Sequence, residues 1–406
     1  MSVRDVATIK RWVASGAIRG DETREPKAPV FAVGWQLGEP DIVVRMPDVL
    51  NVPAASQDIV RNFVVPVDLE RMRYVAAIEI RPGSRAVHHA VLAVDRTRRS
   101  RQRDARDNRP GFAGMTLGDA SPPDGHFIGW TPGKSVRRNP DGMAWRLFPG
   151  DDLVLQVHAV PTGKQERVQP EIGIWFTETP TSSIYDLVML FSEEIDIAPG
   201  TSDFVLRDHL VLPVATTLHS IYPHAHYVCR SMRGTATLPD GTERVLFAID
   251  NWDFDWQDDY RFAQPILLPA GTALAIEYVY DNSEQNSNNP VRPVQRVQFG
   301  QDSADEMGTC TFSMTLGKPQ DRAKLLMATT DRDLEKLPNA WNLLLQKGRL
   351  ERELGNFVVA EKVVEQACQI SPGAAAVWYE LGMLSESMHK LQRAVQSYQQ
   401  AIGIDP

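Results

Sequence analysis

Six residues carry side chains that a soft metal ion accepts, and they stand in pairs that could share one: His88 and His89 in VHHAVLAVD, His158 in LVLQVHAV, His224 and His226 in YPHAHYV, and Met307 in DSADEMGTCTF. Imidazole and thioether are ligands that copper takes and harder ions refuse. Adjacent histidines at a strand end, or an HxH pair on one strand face, can bring two imidazoles to a single ion, because alternate strand residues point the same way. The chain has only nine histidines, so this grouping is informative. It reads as two half-sites for copper.

Each ligand taken singly has a plainer explanation. A lone histidine in LVLQVHAV serves equally well as a packed or hydrogen-bonded strand residue, and a lone Met307 as core filler. The set as a whole favours the metal. His126, His209, His219 and His389 have no such company and read as structural or surface residues.

The surroundings of these residues carry a resemblance. VHHAV, then GW, then NPDGMAWRLFPGDDLVLQVHAVPTG, then IYPHAHYVCR, then QDSADEMGTC follow in an order that resembles the copper type II ascorbate-dependent monooxygenases, the family of peptidylglycine alpha-hydroxylating and dopamine beta-monooxygenases. The match spans roughly residues 30 to 318, and the full motif set is far more specific than any one motif. The resemblance implies two copper ions per chain. His88, His89 and His158 would hold the electron-transferring ion, and His224, His226 and Met307 the one that activates dioxygen. It also implies ascorbate or another one-electron donor, dioxygen, and a small-molecule or peptide substrate. The peptide-hydroxylating relatives hold the substrate carboxylate with an arginine and a tyrosine at positions occupied here by Tyr222 and Thr311. Glycine-extended peptides are therefore not the expected substrate.

The elements that position these residues are readable from periodicity. From about residue 30 the chain runs in short alternating strands, such as DIVVRMP, YVAAIEI and LVLQVHAV, separated by PG, DG and SPPDG turns. That is the pattern of antiparallel sandwiches or jelly rolls. The expected fold is mainly β: one jelly-roll-like sandwich over residues 30 to 180, a second over 181 to 319, and a short helical repeat domain after them. The resemblance places one half-site in each sandwich, facing across a cleft.

Past about residue 320 the period changes to that of helices. Residues 341 to 372 and 375 to 406 align with a shift of 34 (Gly348 to Gly382, Ala360 to Ala394), and the second unit resembles the tetratricopeptide pattern. Two such repeats are expected within 335 to 406, joined to the sandwiches by a polar stretch near Asp321 to Asp333. Each helix pair needs a neighbour over its apolar face. The expectation is therefore that the sequence is a fragment, or that another surface covers Leu391 to Ile404. Residues 1 to 20 read as a helix stopped by glycine and resemble the last helix of a c-type cytochrome domain. There is no CxxCH, hence no covalent haem.

A net charge of −9 argues against a nucleic-acid partner. No apolar run is long enough for a membrane helix, and the sequence given has no signal peptide. A periplasmic or secreted location is expected if the chain is a piece of an exported protein. The seven arginines of Arg96 to Arg109 read as a solvated loop, with a site for an acidic ligand as the alternative. Cys229 and Cys310 each follow a ligand by three residues, an odd offset that turns both sulfurs away from the metal face. A thiol pair and a disulfide are both open. Cys368 reads as helix packing. Two functions result: a copper monooxygenase hydroxylating a C–H bond, or a non-catalytic copper-binding or assembly protein that docks a partner through its repeats.

Overall fold

The computed structural model describes residues 3–25, 27, 34–114 and 117–405. The chain divides into two compact units, Met1–Glu39 and Pro40–Pro406. In the first, a helix covers Val3–Ala14. It is shorter than the sequence pattern suggests. Gly16, in the left-handed region at φ 92, turns the chain, and the backbone N–H groups of Gly16 and Ala17 bond back to Val13 and Trp12. Met1 and Ser2 of the expected helix, and residues 30 to 33 of the expected first sandwich, lie outside the described residues.

The second unit is mainly β with a helical C-terminal part. Its first half holds a four-stranded sheet ordered Ile42–Arg45, Glu171–Thr177, Arg73–Arg81, Trp145–Leu147 and a five-stranded sheet ordered Phe112–Ala113, Ile59–Pro66, Asp152–Ala159, Val87–Asp95, Ile128–Trp130. Inward residues of both sheets, among them Ile80, Trp145 and Ile172 from one and Phe63, Leu92 and Leu155 from the other, form a single core. Alternate residues of each strand share a face, which turns these side chains to the core, while Val64, Phe112 and Val154 pack on the other side of the five-stranded sheet. Each buried Leu, Ile or Phe contributes about 1.5–3 kcal/mol.

The second half repeats the plan. Ile184–Phe191, Gly308–Leu316, Thr216–Ala225 and Tyr260–Leu268 make one sheet; Phe204–Val211, Ala273–Tyr280, Cys229–Thr237 and Glu243–Ile249 make the other. Their shared core includes Leu218, Tyr278, Cys310 and Phe312. All named pairings in these sheets are antiparallel.

Two expectations are corrected here. The arginine-rich segment is not a loop but contains a helix, Arg99–Arg106. Most of its arginines are bound to the first sandwich: Arg101 to Asp152 at 2.6 Å, Arg103 to Asp119 at 3.0 Å. The polar stretch near Asp321 to Asp333 is not a linker but a helix, Pro319–Lys336, docked on the second sandwich. Two helix pairs follow, Trp341–Glu353 with Phe357–Ile370 and Ala375–Ser387 with Leu391–Ile404. The glycines at the repeated position are required by close approach. A Cβ on Gly348 would lie 2.3 Å from Val364 Cγ2, and one on Gly382 2.4 Å from Tyr398 Cε1.

Candidate metal centre

The five histidines gather where the two sandwiches meet. His89 lies opposite His158 on paired strands, and the register slips by one residue between Val87 and His89. His88 is the extra residue of this bulge. On a regular strand neighbours face opposite ways; the bulge lets His88 and His89 both turn to the same place. His224 sits near the end of Thr216–Ala225, with His226 just beyond it, and Ala225 pairs with Gly308, the residue after Met307. Ring centroids are 4.7 Å apart for His89 and His158, 5.5 Å for His88 and His158, and 5.2 Å for His224 and His226.

The two sets abut, which the family resemblance did not imply. His89 and His224, one from each set, have ring centroids 6.0 Å apart. The expected cleft is filled from the second sandwich by the loop between Ile249 and Tyr260. Its Phe254 stacks on His88 at 4.2 Å, and its Gln257 reaches both His88 and His224. Gln257 and its neighbours were missed in the sequence, because one glutamine in a polar loop has no periodicity or spacing to mark it.

Ring protons can be assigned from partners that only accept. His158 Nε2 lies 3.0 Å from Asp58 Oδ2, so Nε2 carries a proton. Its Nδ1 is 3.0 Å from His89 Nε2. The separation suits two nitrogens sharing an ion, since bonds of about 2 Å place ligands roughly 3 Å apart. His226 Nδ1 donates to the Asp305 carbonyl at 3.2 Å, leaving Nε2 free. His224 Nδ1 faces Gln257 Oε1 at 2.6 Å. Three of the histidines thus give one N–H to an oxygen, the arrangement that orients metal-ligating imidazoles. Among the described residues no group of three ligating side chains already converges as a metal cage. In the first set the third member, His88, turns its Nε2 to Gln257.

Electrostatics keep four of these rings neutral. Burial, with the neighbouring imidazoles adding to it, lowers His88 to about 3; burial lowers His224 to about 4 and holds His89 and His226 well below the ordinary range. Neutral imidazole is the form that binds metal. Asp58 is lowered to about 2, the bonds from His158 and Ser303 overcoming its burial, so it stays ionised. Its carboxylate also accepts the Ser303 N–H at 3.2 Å, tying the first sandwich to the loop that carries Met307. Glu306, fully buried, accepts the backbone N–H groups of His226, Val228 (3.1 Å) and Met307 (2.8 Å). Burial raises it to about 8. It fixes Met307 beside the HxH pair.

Tyr222 and Thr311 are direct partners across the sheet, on the face that also carries His224. Tyr222 packs against Phe127 of the first sandwich at 4.8 Å, so it faces the other half of the molecule. Cys229 and Cys310 are free buried thiols within the second core, with Cys229 Sγ directed to the Ser231 carbonyl. His219 bonds the Thr315 hydroxyl at 2.9 Å, and His126 bonds the Met143 carbonyl at 2.7 Å. Neither joins the cluster.

No curated protein matches the chain. Among solved structures it is similar to a point mutant of MamA and to MamA MSR-1 C2, each 20% identical with a TM-score of 0.20 over 21% of this chain. The matched stretch covers 64% and 48% of those chains, less than two thirds of either. It is also similar to recombinant N-glycanase F (PNGase F), 11% identical, TM-score 0.29, over 68% of this chain and 95% of that one. At such TM-scores these likenesses carry no argument. The model of the tetratricopeptide repeat family matches residues 375–406, and the C-terminus of this chain is accordingly a tetratricopeptide repeat.

Proposed function

We propose that the protein is a copper-dependent monooxygenase that hydroxylates a C–H bond of an organic substrate, using dioxygen and ascorbate or another one-electron donor. The observation that carries this reading is the hydrogen-bond pattern: His158, His224 and His226 each give one ring N–H to an oxygen, which fixes the rings where the two sandwiches meet. His88, His89 and His158 would hold one ion, and His224, His226 and Met307 the other. Copper, when bound, supplies redox change and dioxygen activation, and thioether ligation favours its cuprous state. The chain's own residues orient the ligands. Asp58 holds His158, Glu306 holds the backbone of His226 and Met307, and Phe254 stacks on His88. Jelly-roll connectivity of the two sandwiches belongs to the same reading, as does a substrate other than a glycine-extended peptide, given Tyr222 and Thr311.

The test is copper content with ascorbate-dependent oxygen uptake. The protein should take up two coppers per chain and His158→Ala about one; a chain that never exceeds one contradicts the two-set assignment. Met307→Ile should keep most of its cupric ion and lose oxygen uptake. Unchanged uptake in that variant would remove Met307 from the site. The tetratricopeptide repeat favours a second reading, since such repeats often mediate protein interactions: a copper-binding or assembly protein that docks a partner. Copper binding without oxygen uptake would select it.

A further inference from the structure

Gln257 forms hydrogen bonds with both ligand sets. It is 3% exposed, and its backbone carbonyl accepts the Thr131 hydroxyl of the first sandwich. Its amide nitrogen lies 2.8 Å from the Phe254 carbonyl oxygen. A carbonyl can only accept, so this end must be the NH2 group and the other end the oxygen. The oxygen lies 2.6 Å from His224 Nδ1, which must then carry a proton, leaving the lone pair of His224 on Nε2. The second amide hydrogen is left for His88 Nε2 at 3.4 Å. An NH2 group cannot accept, so the His88 proton is on Nδ1 and the Nε2 lone pair is capped by the amide.

We propose that Gln257 couples the two half-sites in opposite senses, presenting His224 to a copper ion while withholding His88 from one. This rests on the copper reading above. An ion taking His88 Nε2 must displace the amide, and the amide cannot turn without weakening its oxygen's bond to His224. Filling the first set therefore disfavours the second, and the reverse. Gln257 is a positioning residue, and its effect is a split that a merely structural role would not produce.

The experiment is a cuprous titration by competition with a chromophoric chelator, on backgrounds that isolate one set each: His158→Ala leaves the second, His226→Ala with Met307→Ile the first. Gln257→Met keeps the volume and removes donor and acceptor. It should weaken the second set about 10–100-fold, as loss of an orienting partner does. It should tighten the first about two- to tenfold, the worth of one weak hydrogen bond. Gln257→Glu retains an oxygen for His224 and should restore the second set to within about threefold of the parent. Equal weakening of both sets, or no change in either, overturns the coupling. A second readout needs no metal: nitrogen-15 chemical shifts should place the His224 and His88 protons on Nδ1 in the full chain, and a proton on Nε2 of either ring overturns the proposal. Correct tautomers in a protein that binds no copper would instead sink the copper reading on which the coupling depends.

Discussion

At the scale of single residues, the ligands are only as well placed as the groups behind them. Glu306 gathers three backbone N–H groups, and its two oxygens divide them: Oε1 takes His226 and Met307, Oε2 takes Val228. Replacement by alanine removes every acceptor, whichever protonation state the carboxyl holds. Glu306→Ala should cost roughly 1–3 kcal/mol in urea unfolding, the penalty of buried donors without acceptors. The same variant should lower copper affinity at His224, His226 and Met307 and leave the His88, His89, His158 set unaffected. A variant as stable as the parent would show that the carboxylate clamps nothing. The residues proposed as ligands stand out in the sequence because VHH, HxH and DSADEM have type and spacing; Glu306 and Ser303 lie inside the last motif without their roles being readable. Asp58 and Gln257 left no mark, since each acts through bonds to residues 33 to 245 positions away in sequence.

At the scale of elements, strands and repeats announced themselves by period, and one helix did not. Pro319–Lys336 reads as a polar stretch because it offers the sandwich mostly charge, with Leu325 and Ala328 as its apolar contribution to the core. Arg332, 8% exposed, lies 3.3 Å from Asp208 and bonds the Met189 carbonyl at 2.8 Å; Lys336 reaches Asp208 at 2.6 Å and the Phe191 carbonyl at 2.6 Å. Asp208 is itself buried. A chain cut after residue 320 leaves that carboxylate without either cation, which should cost about 3–5 kcal/mol. A chain cut after Leu337 keeps both cations and should unfold at nearly the urea concentration of the parent second sandwich. That result would move the expected boundary at 319 to the end of this helix. If both truncations melt alike, the helix belongs with the repeats after all.

At the scale of the whole molecule, the two sandwiches are locked rather than hinged. Thr131 bonds the Gln257 carbonyl, Ser303 bonds Asp58, and His126 stacks on Tyr185 at 4.2 Å. Two sandwiches are legible from turn spacing; their closure is not, because each tie is a single polar or aromatic residue with no spacing pattern to mark it. The tightest point is Gly125, in the left-handed region at φ 81, where a Cβ would stand 2.3 Å from the Tyr185 carbonyl oxygen and 2.8 Å from Asp186 Cα. Both obstacles are backbone and neither can swing aside. Gly125→Ala must therefore push one sandwich off the other, at a cost of about 2–4 kcal/mol from contact and left-handed strain together. Gly133→Ala has the same strain at φ 82 with nothing within 4 Å, and should cost only about 1–2 kcal/mol. Calorimetry should then resolve two transitions for the first variant and one for the second, while each sandwich keeps its fold. The wedge also separates Gln257 from His88, so the nitrogen-15 shift of His88 Nε2 should move in Gly125→Ala alone. Identical melting of the two variants would mean that the sandwiches are not held at this contact, and that the joining of the ligand sets depends on the Gln257 loop by itself.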